Sequence, residues 1–351
     1  MKKVFGFIIV GALSLWGCSS DYTILESSDS VILTADSSVK RFGDTITFTV
    51  RDNNGIEHTN DAVFYVDGAA IEGNKLTSSV VSTHNVKASY YNLESENVEV
   101  SFGDGSELNF HKRLLIEDYT GTWCGYCPRV AYAIDLVHGQ SDDAVTVAIH
   151  RPSSDMLSIV YDPYNYDASE LEATLNIPSY PKGFLNRRVL WTSPEPNNIA
   201  QAIALTQGAN PKMGLALKPV INADTETFTL DVNAKFGADF SGLKLVVYVL
   251  ENGLLYEQHN YTSYFDGVDV LENYTHNHVL RACLTPILGE AVPESATKLY
   301  GTYSKTFTAT LPANITNAAN VEFVAFLVGA DGKAINVRKA ASGDNQDFEM
   351  L

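Results

Sequence analysis

Basic residues are scarce in this chain: 24 Lys and Arg stand against 42 Asp and Glu, for a formal net charge of −18. Nothing offers the basic face that phosphate backbones require, so nucleic acid is not expected as a partner. The acidity reads as a solvated, soluble surface. Methionine (4) is rare beside Tyr (18) and Phe (16), a profile that leans towards β-rich domains. There is no Gly-rich phosphate loop, no Gly-x-Ser-x-Gly nucleophile elbow and no metalloprotease helix. No cofactor is expected. Cysteines number only 4, with one close pair, Cys124 and Cys127. A zinc clip needs four ligands, commonly two such pairs, so no metal site is expected there.

What is present begins with a targeting signal. Lys2 and Lys3 precede a short apolar stretch, Val4 to Leu15, too brief to span a membrane. It ends in Leu15-Trp16-Gly17-Cys18, which resembles the lipobox of bacterial lipoproteins, although Trp16 stands where a small residue is usual. That resemblance implies cleavage after residue 17 and lipid on Cys18, with residues 18–27 as a polar tether. No second long apolar run follows, so the mature chain is expected to be anchored to a membrane through its N-terminal lipid and not to span it.

At 351 residues the chain is long enough for two or three domains. Residues 28–106 carry short alternating segments; Ile46, Phe48 and Val50 point one way, and Asn54-Gly55 signals a tight hairpin. This part is expected to be an immunoglobulin-like β-domain. From 107 to 211 apolar strands alternate with helix-like stretches, which implies an α/β unit. Residues 212–351 return to β-patterning, with Asn252-Gly253 and Asp331-Gly332 turns, and read as a C-terminal β-sandwich. The expected fold class is therefore multidomain α+β.

Within "TGTWCGYCPRV" (120–130) the two cysteines close a loop of only about four residues, which loop-closure entropy credits with roughly 2 kcal/mol. As a staple the pair is weak. Its setting favours reactivity: the apolar strand of Leu114, Leu115 and Ile116 leads in. Beyond the pair, Val130, Ala133, Ile134 and Val137 mark one face of a helix. A thiol at such a helix N-terminus is drawn towards thiolate by unpaired N–H groups and the helix dipole. Pro128, lacking an N–H, suits the first turn.

"TWCGYCP" resembles the active site of the thioredoxin superfamily, over about residues 107 to 210. The resemblance implies Cys124 as exposed nucleophile, Cys127 as buried resolving thiol and Asp118 as the acid that assists proton transfer. A solvated strand-end carboxylate is the alternative for Asp118. It also implies a cis-proline opposite the pair. Of Pro178 and Pro181, the latter directly precedes the strand-like "KGFLN", and Tyr180 stands before it. Trp123, Tyr126, Tyr180 and Pro181 would then line the substrate site. Gly125-Tyr126 lacks the histidine of strongly oxidising relatives, which points to a more reducing centre. "HRPSSDMLSIVYDPYNYD" (150–167) reads as an insertion near that face, shaping a groove or merely decorating it.

The whole layout, with "YTGTWCGYCP" and "YTHNHVLR" (274–281), resembles the twenty-eight-kilodalton outer-membrane protein family of lipoproteins. His276 and His278 read as ordinary strand-surface histidines and Cys283 as a buried free thiol. The expected function is a membrane-tethered thiol–disulfide oxidoreductase of the cell envelope. Its partners would be exported protein thiols and disulfides and an unidentified redox partner. The rival reading is a non-catalytic outer-membrane binding or structural lipoprotein in which the thioredoxin-like part is vestigial.

Overall fold

The computed structural model describes residues 29–151, 161–177 and 179–351. The signal segment, the 18–27 tether with Cys18, residues 152–160 and Pro178 lie outside them.

The N-terminal part is built from two sheets over one core. Val31–Ala35, Thr45–Asp52 and Lys75–Thr77 make a three-stranded sheet. Six strands, from Val39–Arg41 to Val98–Gly103, make the other. Thr45–Asp52 alternates as its pattern demands, burying Ile46, Phe48 and Val50 against Phe64, Val86, Val100 and Phe102 of the facing sheet. Asn54-Gly55 does turn the chain. Gly55 takes φ +83°, and Asp52 Oδ1 accepts the N–H groups of Asn54 and Ile56, both at 2.9 Å.

Beyond residue 110 the expected class fails. Across the described residues the chain is mostly β, 44% strand and 12% helix, and no separate thioredoxin-like α/β domain stands between two sandwiches. Instead one nine-stranded sheet runs through both regions. Its order is Val189–Leu190, Lys182–Leu185, Leu114–Thr120, Ala144–His150, Val279–Cys283, Lys244–Glu251, Val321–Val328 and Ala334–Ala341, with Glu290–Ala291 beside Lys244–Glu251. The join is Ala144–His150: Leu114–Thr120 pairs along one edge, and Val279 lies opposite Ala148 on the other. The Ala148 N–H donates to His278 O at 2.8 Å.

The physical reason is edge satisfaction. Backbone N–H and C=O groups left at a sheet edge must find partners. Here a strand from more than a hundred residues downstream supplies them.

One apolar layer covers a whole face of this sheet, from Leu115, Val147 and Phe184 to Tyr248, Phe326 and Val337. The other face is divided. Helices Pro128–His138 and Ile199–Ala204 cover one end through Val130, Ala133, Ile134 and Ile203. Met213–Asn222, Thr227–Phe236 and Thr302–Thr310 form a three-stranded sheet over the other end.

A buried ion pair stitches the two ends. Arg187 donates to Glu117 at 3.0 and 3.1 Å and to Ile287 O at 3.0 Å. It also donates to the Tyr248 hydroxyl, which in turn donates to Glu117 at 3.1 Å. Among the described residues, no helix is long and apolar enough to cross a membrane.

Candidate functional site, a covered disulfide

Leu114–Thr120 ends one residue before the turn that holds the cysteine pair, and helix Pro128–His138 starts directly after it. Cys124 and Cys127 are joined as a disulfide with Cα atoms 5.4 Å apart. The Cys124 N–H donates to Gly121 O at 3.0 Å and the Cys127 N–H to Cys124 O at 3.1 Å, so the turn is internally bonded. Cys127 already has helical dihedrals, and Pro128 opens the helix. The four helix residues chosen by spacing, Val130, Ala133, Ile134 and Val137, are all buried.

Cys124 is not the exposed thiol expected: it is 4% exposed, and Cys127 is 2% exposed. What covers the pair is a two-stranded hairpin, Leu254–His259 with Val270–His276, from the C-terminal region. The His259 N–H donates to Thr122 O at 2.9 Å and the Tyr261 N–H to Gly125 O at 2.6 Å. Gln258 Nε2, buried, donates to Cys124 O at 3.1 Å and Gly121 O at 3.2 Å. The Tyr261 ring lies so close to Gly125 that a Cβ there would sit 2.2 Å from it. Tyr132 stacks on Tyr264 at 4.5 Å between ring centres, and Tyr126 meets Tyr261 edge-on at 5.8 Å. Every acceptor used here is a backbone carbonyl of the cysteine turn or its approach.

Beside Cys127 is a small half-open cavity of about 120 Å³, lined by Asp118, Cys127, His138, His150, Gln258 and His276 among polar residues and by Pro128, Ile134 and Ala148 among apolar ones. Asp118 thus shares a cavity with Cys127. Its Oδ1 is buried without a protein partner, and burial, aided by the nearby Glu195 charge, holds its carboxyl well above the usual range. Glu117, as its strand position implies, points to the opposite face and into the Arg187 pair.

Two histidines of the cavity, His138 and His276, are held well below the ordinary imidazole value. Burial, with His278 nearby, lowers His138 to about 4. Burial, with His150 nearby, lowers His276 to about 3. His276 Nε2 also lacks a protein partner.

His150 Nδ1 lies 3.0 Å from Asp162, which accepts the N–H groups of Thr122 and Tyr164, both at 2.8 Å. Burial alone would raise Asp162. The His150 hydrogen bond and charge, with those two N–H groups, keep it below the usual carboxylate value.

The remaining expected site residues scatter around this centre. Trp123 is half-buried, its indole N–H bound to Arg151 O at 2.8 Å. Tyr126 is 56% exposed. The Tyr180–Pro181 peptide is cis, and Pro181 is buried. Tyr180 donates to Glu172 at 2.6 Å beneath the Arg151 guanidinium, and burial, with the Glu172 bond, pushes its phenol up.

His276 and His278 are not a strand-surface pair. His276 ends its strand facing the cavity, whereas His278 sits in the following turn at φ +57° beside Glu322, 2.5 Å away. Cys283 is free and half-buried, its thiol pushed up to about 11 by burial. Sequence reasoning missed Gln258 and Tyr261, and placed His150 and Asp162 only within the 150–167 stretch without naming them. No spacing rule links residues 130 positions apart, and only the "YTHNHVLR" resemblance pointed near the hairpin. Among the described residues, no group of three or more His, Cys, Asp or Glu is arranged to hold a metal ion.

A buried cysteine turn held under a hairpin, on a sheet shared by two regions, defines a β-rich protein. The family described as outer membrane protein Omp28 matches residues 168–346, and the chain belongs to it. This agrees with the expected outer-membrane lipoprotein location in a bacterial envelope.

Among solved structures the chain is similar to HBP35 of Porphyromonas gingivalis. Identity is 20%, with 68% of this chain and 77% of that one covered, at a TM-score of 0.52. The likeness is one of fold. A domain of the outer membrane lipoprotein Omp28 from Porphyromonas gingivalis matches at 19% identity over 38% of this chain and 91% of that one, with a TM-score of 0.25. No curated protein matches the chain.

Proposed function

We propose that this protein is a non-catalytic outer-membrane binding or structural lipoprotein, anchored through lipid on Cys18, in which the Cys124–Cys127 disulfide shapes a docking turn and does not turn over substrates. One observation carries this reading: both cysteines are buried, Cys124 only 4% exposed, in a turn whose carbonyls are taken up by the 254–276 hairpin. A thiol–disulfide enzyme must let a substrate sulfur reach its nucleophile in line. Here the approach over Gly125 is filled by the Tyr261 ring.

A second reading, disulfide exchange with exported proteins, draws support from Asp118, whose unpartnered Oδ1 shares a cavity with Cys127. In it Cys124 would attack, Cys127 resolve, and Trp123, Tyr126, Tyr180 and Pro181 receive the client chain. An insulin-reduction assay separates the two. With dithiothreitol as electron source, the full chain is expected to precipitate insulin no faster than buffer alone. Multiple turnovers, abolished by Cys124→Ser, would replace the first reading with the second.

A further inference from the structure

We infer that the Cys124–Cys127 disulfide is a redox latch: its reduction releases the 254–276 hairpin from the cysteine turn and widens the half-open cavity beside Cys127. The inference rests on the proposed non-catalytic reading and gives that disulfide a regulatory role.

Every direct polar contact described above between hairpin and turn is made to the turn's backbone. Gln258, His259 and Tyr261 together address the carbonyls of Gly121, Thr122, Cys124 and Gly125. Those carbonyls keep their directions only while the turn keeps its shape. The disulfide closes that turn across a sequence separation of 3, leaving its backbone little freedom.

Reduction is a two-electron, two-proton step supplied by a dithiol. A reductant thiolate attacks one protein sulfur, breaking the Cys124–Cys127 bond and forming a mixed disulfide. The reductant's second thiol then displaces the protein sulfur, leaves as a cyclic disulfide, and both cysteines end as thiols. Two thiols cannot stay at bonding distance, so the sulfurs part. Cys127 is fixed as the start of helix Pro128–His138, and its O accepts the N–H groups of Val130 and Ala131. The displacement therefore falls on residues 124–126, where Gly125 has no room to rise against Tyr261.

Two buried polar atoms on the lining of the half-open cavity supply an independent bias towards release. Asp118 Oδ1 and His276 Nε2 are 95%-buried side-chain atoms by residue, each 5% exposed, and neither has a protein partner. Gln258 and His276, both cavity-lining, ride on the hairpin itself. Opening would hydrate these groups, so the closed hairpin is held against a standing cost that the turn contacts must offset. By linkage the coupling is reciprocal: a closed hairpin favours the disulfide over the dithiol at equilibrium, and reduction weakens closure.

Amide hydrogen exchange read by mass spectrometry, on the full chain before and after reduction with dithiothreitol, tests this. Peptides covering 254–276 should exchange at least ten-fold faster in the reduced protein, while Thr45–Asp52 and Ser82–Tyr90 keep their rates. A Cys124→Ser/Cys127→Ser variant should match the reduced protein. Unchanged exchange in 254–276 overturns the latch. So does an equal rise in the N-terminal strands, which would make the disulfide a global staple. Insulin turnover, measured on the same preparation, bears separately on the non-catalytic reading.

Discussion

His276 shows how far a residue's surroundings override its type. Two histidines around an asparagine in a strand-like segment suggest a solvated surface. Instead His276 is buried against the cavity, and burial, with His150 nearby, lowers it from 6.5 to about 3. The unfolded chain therefore binds a proton that the folded one refuses between those values. Stability from this group is full above pH 6.5 and is lost as pH falls towards 3.

His276→Gln should flatten the acid limb of a stability–pH curve in that window, by up to about 1.4 kcal/mol per pH unit. Urea titrations at several pH values would check it, and identical slopes in both proteins would count against the buried assignment. The cysteine pair was legible because its spacing is local, whereas Asp118 was singled out only through the thioredoxin resemblance. Gln258 and Tyr261 were not legible, because nothing in their own neighbourhood marks a residue that binds a turn 130 positions earlier.

Among elements, helix Pro128–His138 is the clearest case of pattern becoming structure: spacing picked its buried face, and Pro128 its start. Edges are another matter. Apolar runs mark Leu114–Thr120 and Ala144–His150 as buried strands, but every residue has the same backbone donors and acceptors. Pairing of Ala148 with Val279 was therefore invisible, and with it the merging of two expected domains into one sheet.

The Glu117–Arg187–Tyr248 cluster fastens that merger, since its members come from Leu114–Thr120, the turn after Lys182–Leu185, and Lys244–Glu251. Replacing one member of a buried pair strands the other charge. Arg187→Ala should lower unfolding free energy by about 3–5 kcal/mol, measured as a drop in the denaturant midpoint. A loss below about 1 kcal/mol, the scale of a surface pair, would mean the cluster fastens nothing.

For the whole molecule, the aromatic, Met-poor composition correctly leaned towards β-structure, and the N-terminal alternation led to a two-sheet unit with Phe48 and Phe102 in its core. What composition lacks is any record of one region folding over another. Here the C-terminal half supplies both the strand that completes the sheet around the cysteine turn and the hairpin that covers it. That covering is the centre of the functional account.

The most direct test is the rate at which dithiothreitol reduces Cys124–Cys127 in the native full chain, compared with the same chain unfolded in urea. Trapped thiols can be counted by alkylation and mass spectrometry. A disulfide under the hairpin should be reduced at least ten-fold more slowly in the native protein. Equal rates, or faster reduction in the native state, would show an accessible and activated pair and contradict the account.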